Sequence, residues 1–156
     1  MHIIEIMAAH LSQLLRTAIA ETEPLLRSIA EHEADVRPGG GPGWNRKQEL
    51  GHLIDSATNN RVRFLFAALN GSYIAPTYDG IGWVSLGGYS DASWADLLEL
   101  WVRTNVALAR AIGRIPDDSL SAECTIGQHG PVTLAYLIED YVRHMSLHVE
   151  HIVKAD

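Results

Sequence analysis

The chain has 156 residues, 47% hydrophobic and 20% charged, with a formal net charge of −7, which suits one soluble domain (1-156) with a substantial core and excludes whole-chain disorder. Lys47 and Lys154 are the only lysines and no basic run occurs, which argues against nucleic acid as the main partner. No apolar run reaches the roughly 18 residues of a membrane span, MHIIEIMAAH lacks a basic leader and is broken by Glu5, and the single Cys124 excludes an internal disulfide framework, so we expect a cytoplasmic protein with no membrane partner.

Four long segments read as helix. The first runs from about Ile6 to about Glu33, with Leu11, Leu14, Leu15, Ala18 and Ile19 at helical spacing. Pro24 lies inside it, so a kink is expected, or a new helix capped by Thr22. RPGGGPGW (37–44) is a loop. Asn45, with Gln48 three residues later, forms a capping box for a second helix that continues through Phe64 and Ala68 to the Asn70-Gly71 stop. Ser72 to Ser90 is rich in glycine and aromatic residues, long for a connection, and marked as a functional loop packed on the body. The third helix runs from Asp91 or Ala92 to about Gly113, with Trp94 and Trp101 on one face at core or dimer-interface spacing. IPDDSL breaks it, and ECTIGQHGPV (123–132) reads as a short hairpin or irregular turn. Thr133 caps a fourth helix reaching about Lys154. Four such helices predict an all-α antiparallel four-helix bundle, and the long second connection allows an overhand crossover.

The chemistry is concentrated in eight histidines, three of them between positions 144 and 151. His144 and His148 are one turn apart on one helix face, the spacing two imidazoles need to share a metal ion. At about 100° per residue from Tyr141, the core face of the last helix carries Leu134, Leu137, Ile138, Met145 and Ile152. His148 falls about 20° from Tyr141, His144 about 60° and His151 about 80°, so His144 and His148 are the better ligands and His151 either supports a ligand from behind or sits at the rim. Met145 follows His144 where a zincin would have glutamate. His52 is the candidate third ligand, although the stripe Leu50, Leu53, Ala57, Phe64 and Ala68 centres away from it. By periodicity alone it reads as an exposed polar residue.

WNRKQELGHLIDSATNNRVRF, YDGIGWV with GGYS, LLELWVRTN and GPVTLAYLIEDYVRHMSLHVEHI together resemble the DinB/YfiT-like superfamily of metal-binding four-helix bundles. The resemblance implies an up-down-down-up bundle whose divalent ion, zinc or nickel, is held by His52, His144 and His148 with an open coordination position. It also implies an enzyme acting on a small molecule, either a hydrolase or a transferase of a low-molecular-weight thiol, and is compatible with a homodimer. A non-catalytic metal or small-ligand binder, and a purely structural dimerising bundle, remain alternatives. No catalytic residue is assigned.

Secondary candidates surround this set. Asp55 and Asp140 could orient a ligand imidazole. Asn59 and Arg63 extend the His52 face, and Arg63 could hold an anionic group of a substrate or thiol cofactor. Asp79 and Trp83 could cap a pocket, and Asn105 is a buried polar candidate. Cys124 reads as a small buried residue, although His129 is close in sequence.

Overall fold

A computed structural model describes residues 6–154; residues 1–5, with His2 and Glu5, and 155–156 lie outside the description. Four long helices, α1 (Ala8–Arg27), α3 (Arg46–Asn70), α5 (Trp94–Ile112) and α6 (Leu134–Val153), are joined by two short ones, α2 (Glu31–Ala34) and α4 (Gly80–Gly87), and three short strands, β1 (Ser72–Ala75), β2 (Glu123–Ile126) and β3 (His129–Thr133).

The helix starts follow their caps. Asn45 Oδ1 accepts from the Gln48 amide at 2.8 Å while Gln48 Oε1 accepts from the Asn45 amide at 3.0 Å, closing the expected capping box on α3. Gly71 ends α3 in the left-handed region at φ 78°, where a side chain would be strained. Thr133 accepts from the Tyr136 amide at 3.1 Å and starts α6.

Pro24 does not divide α1. Thr22 sends its hydroxyl back to the Ala18 carbonyl at 2.7 Å rather than capping a new helix. The proline sits in the last turn, and Ala20, whose carbonyl loses a partner, is exposed, so water can satisfy it. The helix stops at Arg27, and Glu31–Ala34 forms a separate turn.

Helix directions follow from cross-helix contacts. Ser12 donates to the Ala109 carbonyl at 2.6 Å and Trp94 Nε1 to the Leu26 carbonyl at 3.0 Å, so α1 and α5 are antiparallel. Arg46 Nε donates to the Ile152 carbonyl at 2.9 Å, so α3 and α6 are antiparallel. Asn45 Nδ2 donates to Ser90 Oγ at 3.1 Å, bringing the starts of α3 and α5 to the same end. The bundle is therefore up-down-down-up, with α1 and α3 each packed on α5 and α6. Leu15, Leu50, Trp101, Leu108, Ile138 and Met145 lie in its dry core. Trp94 and Cys124 are buried as well.

Two consecutive parallel helices require their connection to return the length of α3, roughly 37 Å for 25 residues. The segment expected as a long loop is therefore structured along most of its path. It forms β1, then α4 packed on α3, then a 3₁₀ turn at Tyr89–Asp91. The 123–132 segment forms the β2–β3 hairpin. β1 joins it parallel to β2, with Tyr73 opposite Cys124, giving a sheet of order β1-β2-β3. The parallel pairing spans fifty residues of chain, which leaves no local sign of it in the sequence.

A candidate three-histidine metal centre

The antiparallel packing of α3 on α6 brings three imidazoles together. His52 comes from α3, His144 and His148 from adjacent turns of α6. Their ring centroids lie 5.7 Å (His52–His144), 4.9 Å (His52–His148) and 4.5 Å (His144–His148) apart. One candidate ligand atom from each fits within 4.8 Å of the others. His52 is half-buried, not exposed as the apolar stripe suggests. The reason is that His52, Ser56, Asn60 and Arg63 form a second face of α3, and all four line one pocket with His144. Apolar periodicity reports only the dry part of a bundle interior, and this face is polar because it lines a site.

Glu49, on the first turns of α3, orients the cluster. His148 Nδ1 lies 3.1 Å from Glu49 Oε1, and His151 Nδ1 lies 2.7 Å from both Glu49 oxygens. An ionised carboxylate only accepts, so His148 donates through Nδ1 and carries its lone pair on Nε2. That nitrogen lies 3.1 Å from His144 Nε2. With metal–nitrogen bonds of about 2.0–2.1 Å, this separation subtends about 100° at a shared ion, close to tetrahedral. The three residues thus fit a divalent ion. His52 Nδ1 is buried with no hydrogen-bond partner among the described residues.

The electrostatics suit neutral ligands. Burial first, then the neighbouring His148 and His144, push the His52 pKa down to about 4. Burial and His148 lower that of His144. Burial works to raise the Glu49 pKa, but the bonds from His148 and His151 outweigh it and hold the carboxyl below the usual range. Metal ligation needs deprotonated imidazoles, and at neutral pH His52 and His144 are in that form.

Of the secondary candidates, His151 sits at the rim as expected. Asp55 does not reach an imidazole. It is buried and accepts from the Tyr89 hydroxyl, because Tyr89 is folded against Gly51 of the same helix. Asn59 Nδ2 donates to the Asp55 carbonyl at 3.0 Å. Asp140 lines the pocket beside His144 but pairs with Arg143. Asp79 caps α4 by accepting from the Gly82 amide at 3.0 Å, and Trp83 packs on Tyr78, so neither closes the pocket; Tyr78 lines it instead. Asn105 is fully buried, accepting from the Tyr141 hydroxyl at 2.5 Å and donating to the Trp101 carbonyl at 2.9 Å. Arg63 lies in the pocket with its guanidinium 5.7 Å from the Tyr78 ring centroid.

Glu49, Trp44 and Tyr78 join the site without being expected there. Glu49 precedes His52 by three residues, which places it on the same helix face, so a signal for it exists in the sequence. Trp44, 5.1 Å from the His52 ring by centroids, and Tyr78 arrive from loops and have no periodic signature.

The pocket beside the imidazoles has a volume of about 230 Å³. A wider one of about 620 Å³, walled by the β2–β3 hairpin and the start of α6, adjoins it and shares Arg63, Tyr78, Leu137 and Asp140.

No curated protein sequence matches the chain. Among solved structures it is similar to YfiT from Bacillus subtilis, described as a probable metal-dependent hydrolase with an unusual four-helix bundle topology. The TM-score is 0.77 and the identity 21%, over 93% of this chain and 83% of that one, a likeness of fold. The family model described as DinB superfamily matches residues 14–152, nearly the full bundle, and the chain belongs to that superfamily.

Proposed function

We propose that this protein is a metal-dependent enzyme acting on a small molecule, with a divalent ion held by His52, His144 and His148. The observation that carries the reading is the convergence of these three imidazoles, two of which, His52 and His144, line a pocket, with Glu49 fixing the ring of His148. Three borderline nitrogen donors suit zinc or nickel. Bound there, the ion would polarise a substrate oxygen or lower the pKa of a bound water or thiol.

The chain's own residues divide the remaining work. Glu49 accepts the Nδ1 proton of His148 and so keeps the Nε2 lone pair directed at the centre. Trp44 packs against His52 on its flank. Tyr78 and Leu137 form an apolar wall that limits water around the reacting group. The Tyr141 hydroxyl is engaged by Asn105 and is not free to move a proton into the pocket. Asp140 is the carboxylate in the lining and can take a proton from an attacking water, which supports hydrolysis as the first reaction class. Asp140 also pairs with Arg143, which occupies one of its oxygens, and a second class, transfer of a low-molecular-weight thiol to an electrophile, needs no such base.

Elemental analysis of tag-free protein tests the centre. About one zinc or nickel per chain is expected, lost in both His52→Ala and His144→Ala. No retained metal after supplementation would overturn the reading. In activity screens, Asp140→Asn should abolish hydrolysis and spare thiol transfer, which separates the two classes.

A further inference from the structure

Arg63 is half-buried, yet no carboxylate among the described residues forms an ion pair with it; its guanidinium lies against the face of Tyr78. It stands where the pocket at the imidazoles opens into the wider one. A guanidinium withdrawn from water without an anionic partner is a ready receptor for an oxyanion. Beyond it, Ile126, Val132 and Leu137 provide apolar wall.

The spacing adds a length requirement. Arg63 follows His52 by eleven residues on one helix, a rise of about 16 Å between their Cα atoms. Side chains on a helix lean toward its N-terminus, His52 as well as Arg63, so only the greater length of the arginine shortens that gap, but both residues line one pocket of about 230 Å³. One small molecule can therefore reach both ends. Asp140 lies in the same lining, and its negative charge favours a monoanion over a dianion.

We propose that Arg63 is the anion-binding end of a two-part groove, so that the enzyme takes an amphipathic carboxylate, its carboxylate on Arg63, its apolar body against the β2–β3 hairpin and its reacting group toward the histidines. The inference rests on the metal-centre reading only for where the reacting group sits; the carboxylate subsite is a separate property.

The test uses 3-phenylpropionate, its neutral analogue 3-phenylpropionamide and the dianionic phenyl phosphate. Each is titrated into isotope-labelled full-length protein, both zinc-free and zinc-loaded, following backbone amide signals of Tyr78, Gly130 and Leu137. The carboxylate is expected to bind about ten-fold tighter than the amide and tighter than the phosphate. Arg63→Gln should erase that preference, Arg63→Lys should keep part of it, and His148→Ala should leave it intact. Circular dichroism checks that each variant folds, and Arg63→Lys carries the test if Arg63→Gln does not. Equal affinities, no response of any probe up to about 20 mM, or a preference surviving in Arg63→Gln would overturn the proposal. Tighter binding of the phosphate would overturn the assignment to a carboxylate. A preference that exists only with zinc and disappears in His148→Ala would mean that the ion takes the carboxylate: the subsite then fails and the metal centre stands. An Arg63-dependent preference in a protein that never retains metal would mean the reverse: the subsite stands and the metal centre fails.

Discussion

His148 Nδ1 lies 3.1 Å from Glu49 Oε1, across the antiparallel contact of the last helix with the first turns of α3. The Glu49 side chain is 6% exposed, and its other close partner is His151. A buried carboxylate bound to two imidazoles is costly unless both bonds are made. Its position behind a candidate ligand makes it a positioning residue for the centre.

Glu49→Gln is accordingly expected to weaken zinc binding about 10- to 100-fold, by losing the charge that raises ligand basicity and fixes the tautomer of His148. His151→Ala should cost only a few-fold, because His151 is 47% exposed and touches the carboxylate rather than the centre. Competition titrations against a chelating dye measure both. Equal effects of the two substitutions would contradict the arrangement.

Metal removal should leave the bundle folded but less stable. The core of Leu15, Leu50, Trp101 and Ile138 does not depend on the site. An ion that binds only the folded chain adds about 2.7 kcal/mol when present at a hundred times its dissociation constant. Thermal unfolding with zinc and with chelator should show a clear rise in Tm with zinc, absent in His144→Ala.

Gly51→Ala tests the Tyr89 cradle. Helix propensity alone favours alanine by about 1 kcal/mol. A Cβ at Gly51, however, would stand 2.0 Å from Tyr89 Cδ2 and 2.3 Å from Cγ, atoms near the root of a rigid ring. Displacing that ring also breaks its bond to buried Asp55. Overpacking of this kind costs roughly 1–3 kcal/mol, to which the broken buried bond adds about 1–3 more, so the net effect should be destabilising. Urea unfolding decides the sign, and a stabilised variant would show that Tyr89 is not seated there.

Asp55 predicts a pH dependence. Burial raises its pKa above the ordinary 3.8, and the Tyr89 hydroxyl opposes the rise. A carboxyl whose pKa is higher folded than unfolded binds protons more tightly in the native state. Its contribution is therefore largest below 3.8 and is lost as pH rises through the folded value. Asp55→Asn should remove this loss. Tyr89→Phe should carry it to higher pH, because the bond that stabilises the carboxylate is gone. Unfolding free energies across the acidic range, compared among the three proteins, measure it.

Arg46→Ala should destabilise the protein by roughly 2–4 kcal/mol. Its buried guanidinium donates to the carbonyls of Ile152 and Lys154 at the end of α6 and of Glu33 in α2. Among the described residues the Ile152 and Lys154 carbonyls have no helical donor of their own, while that of Glu33 also accepts from the Val36 amide at 3.2 Å. Chemical denaturation checks the magnitude, and a change below about 0.5 kcal/mol would show that water replaces the arginine.

The sequence alone determined the four-helix plan, the caps of α3 and α6 and the shared face of His144 and His148. Asn45 with Gln48, Gly71 and Thr133 mark boundaries through bonds that span three or four residues, so they are legible locally. His144 and His148 share a face because a helix repeats every 3.6 residues. His52, by contrast, is singled out by resemblance to a family, against its own periodicity. Only the tertiary structure decided that α3 buries a second, polar face, that Glu49 rather than Asp55 stands behind an imidazole, and that a strand from the α3–α5 connection pairs with a distant hairpin. Each of these depends on which elements cross in space. The free energy that selects them comes from burial and from satisfying polar groups between segments fifty to a hundred residues apart, where no local pattern records it.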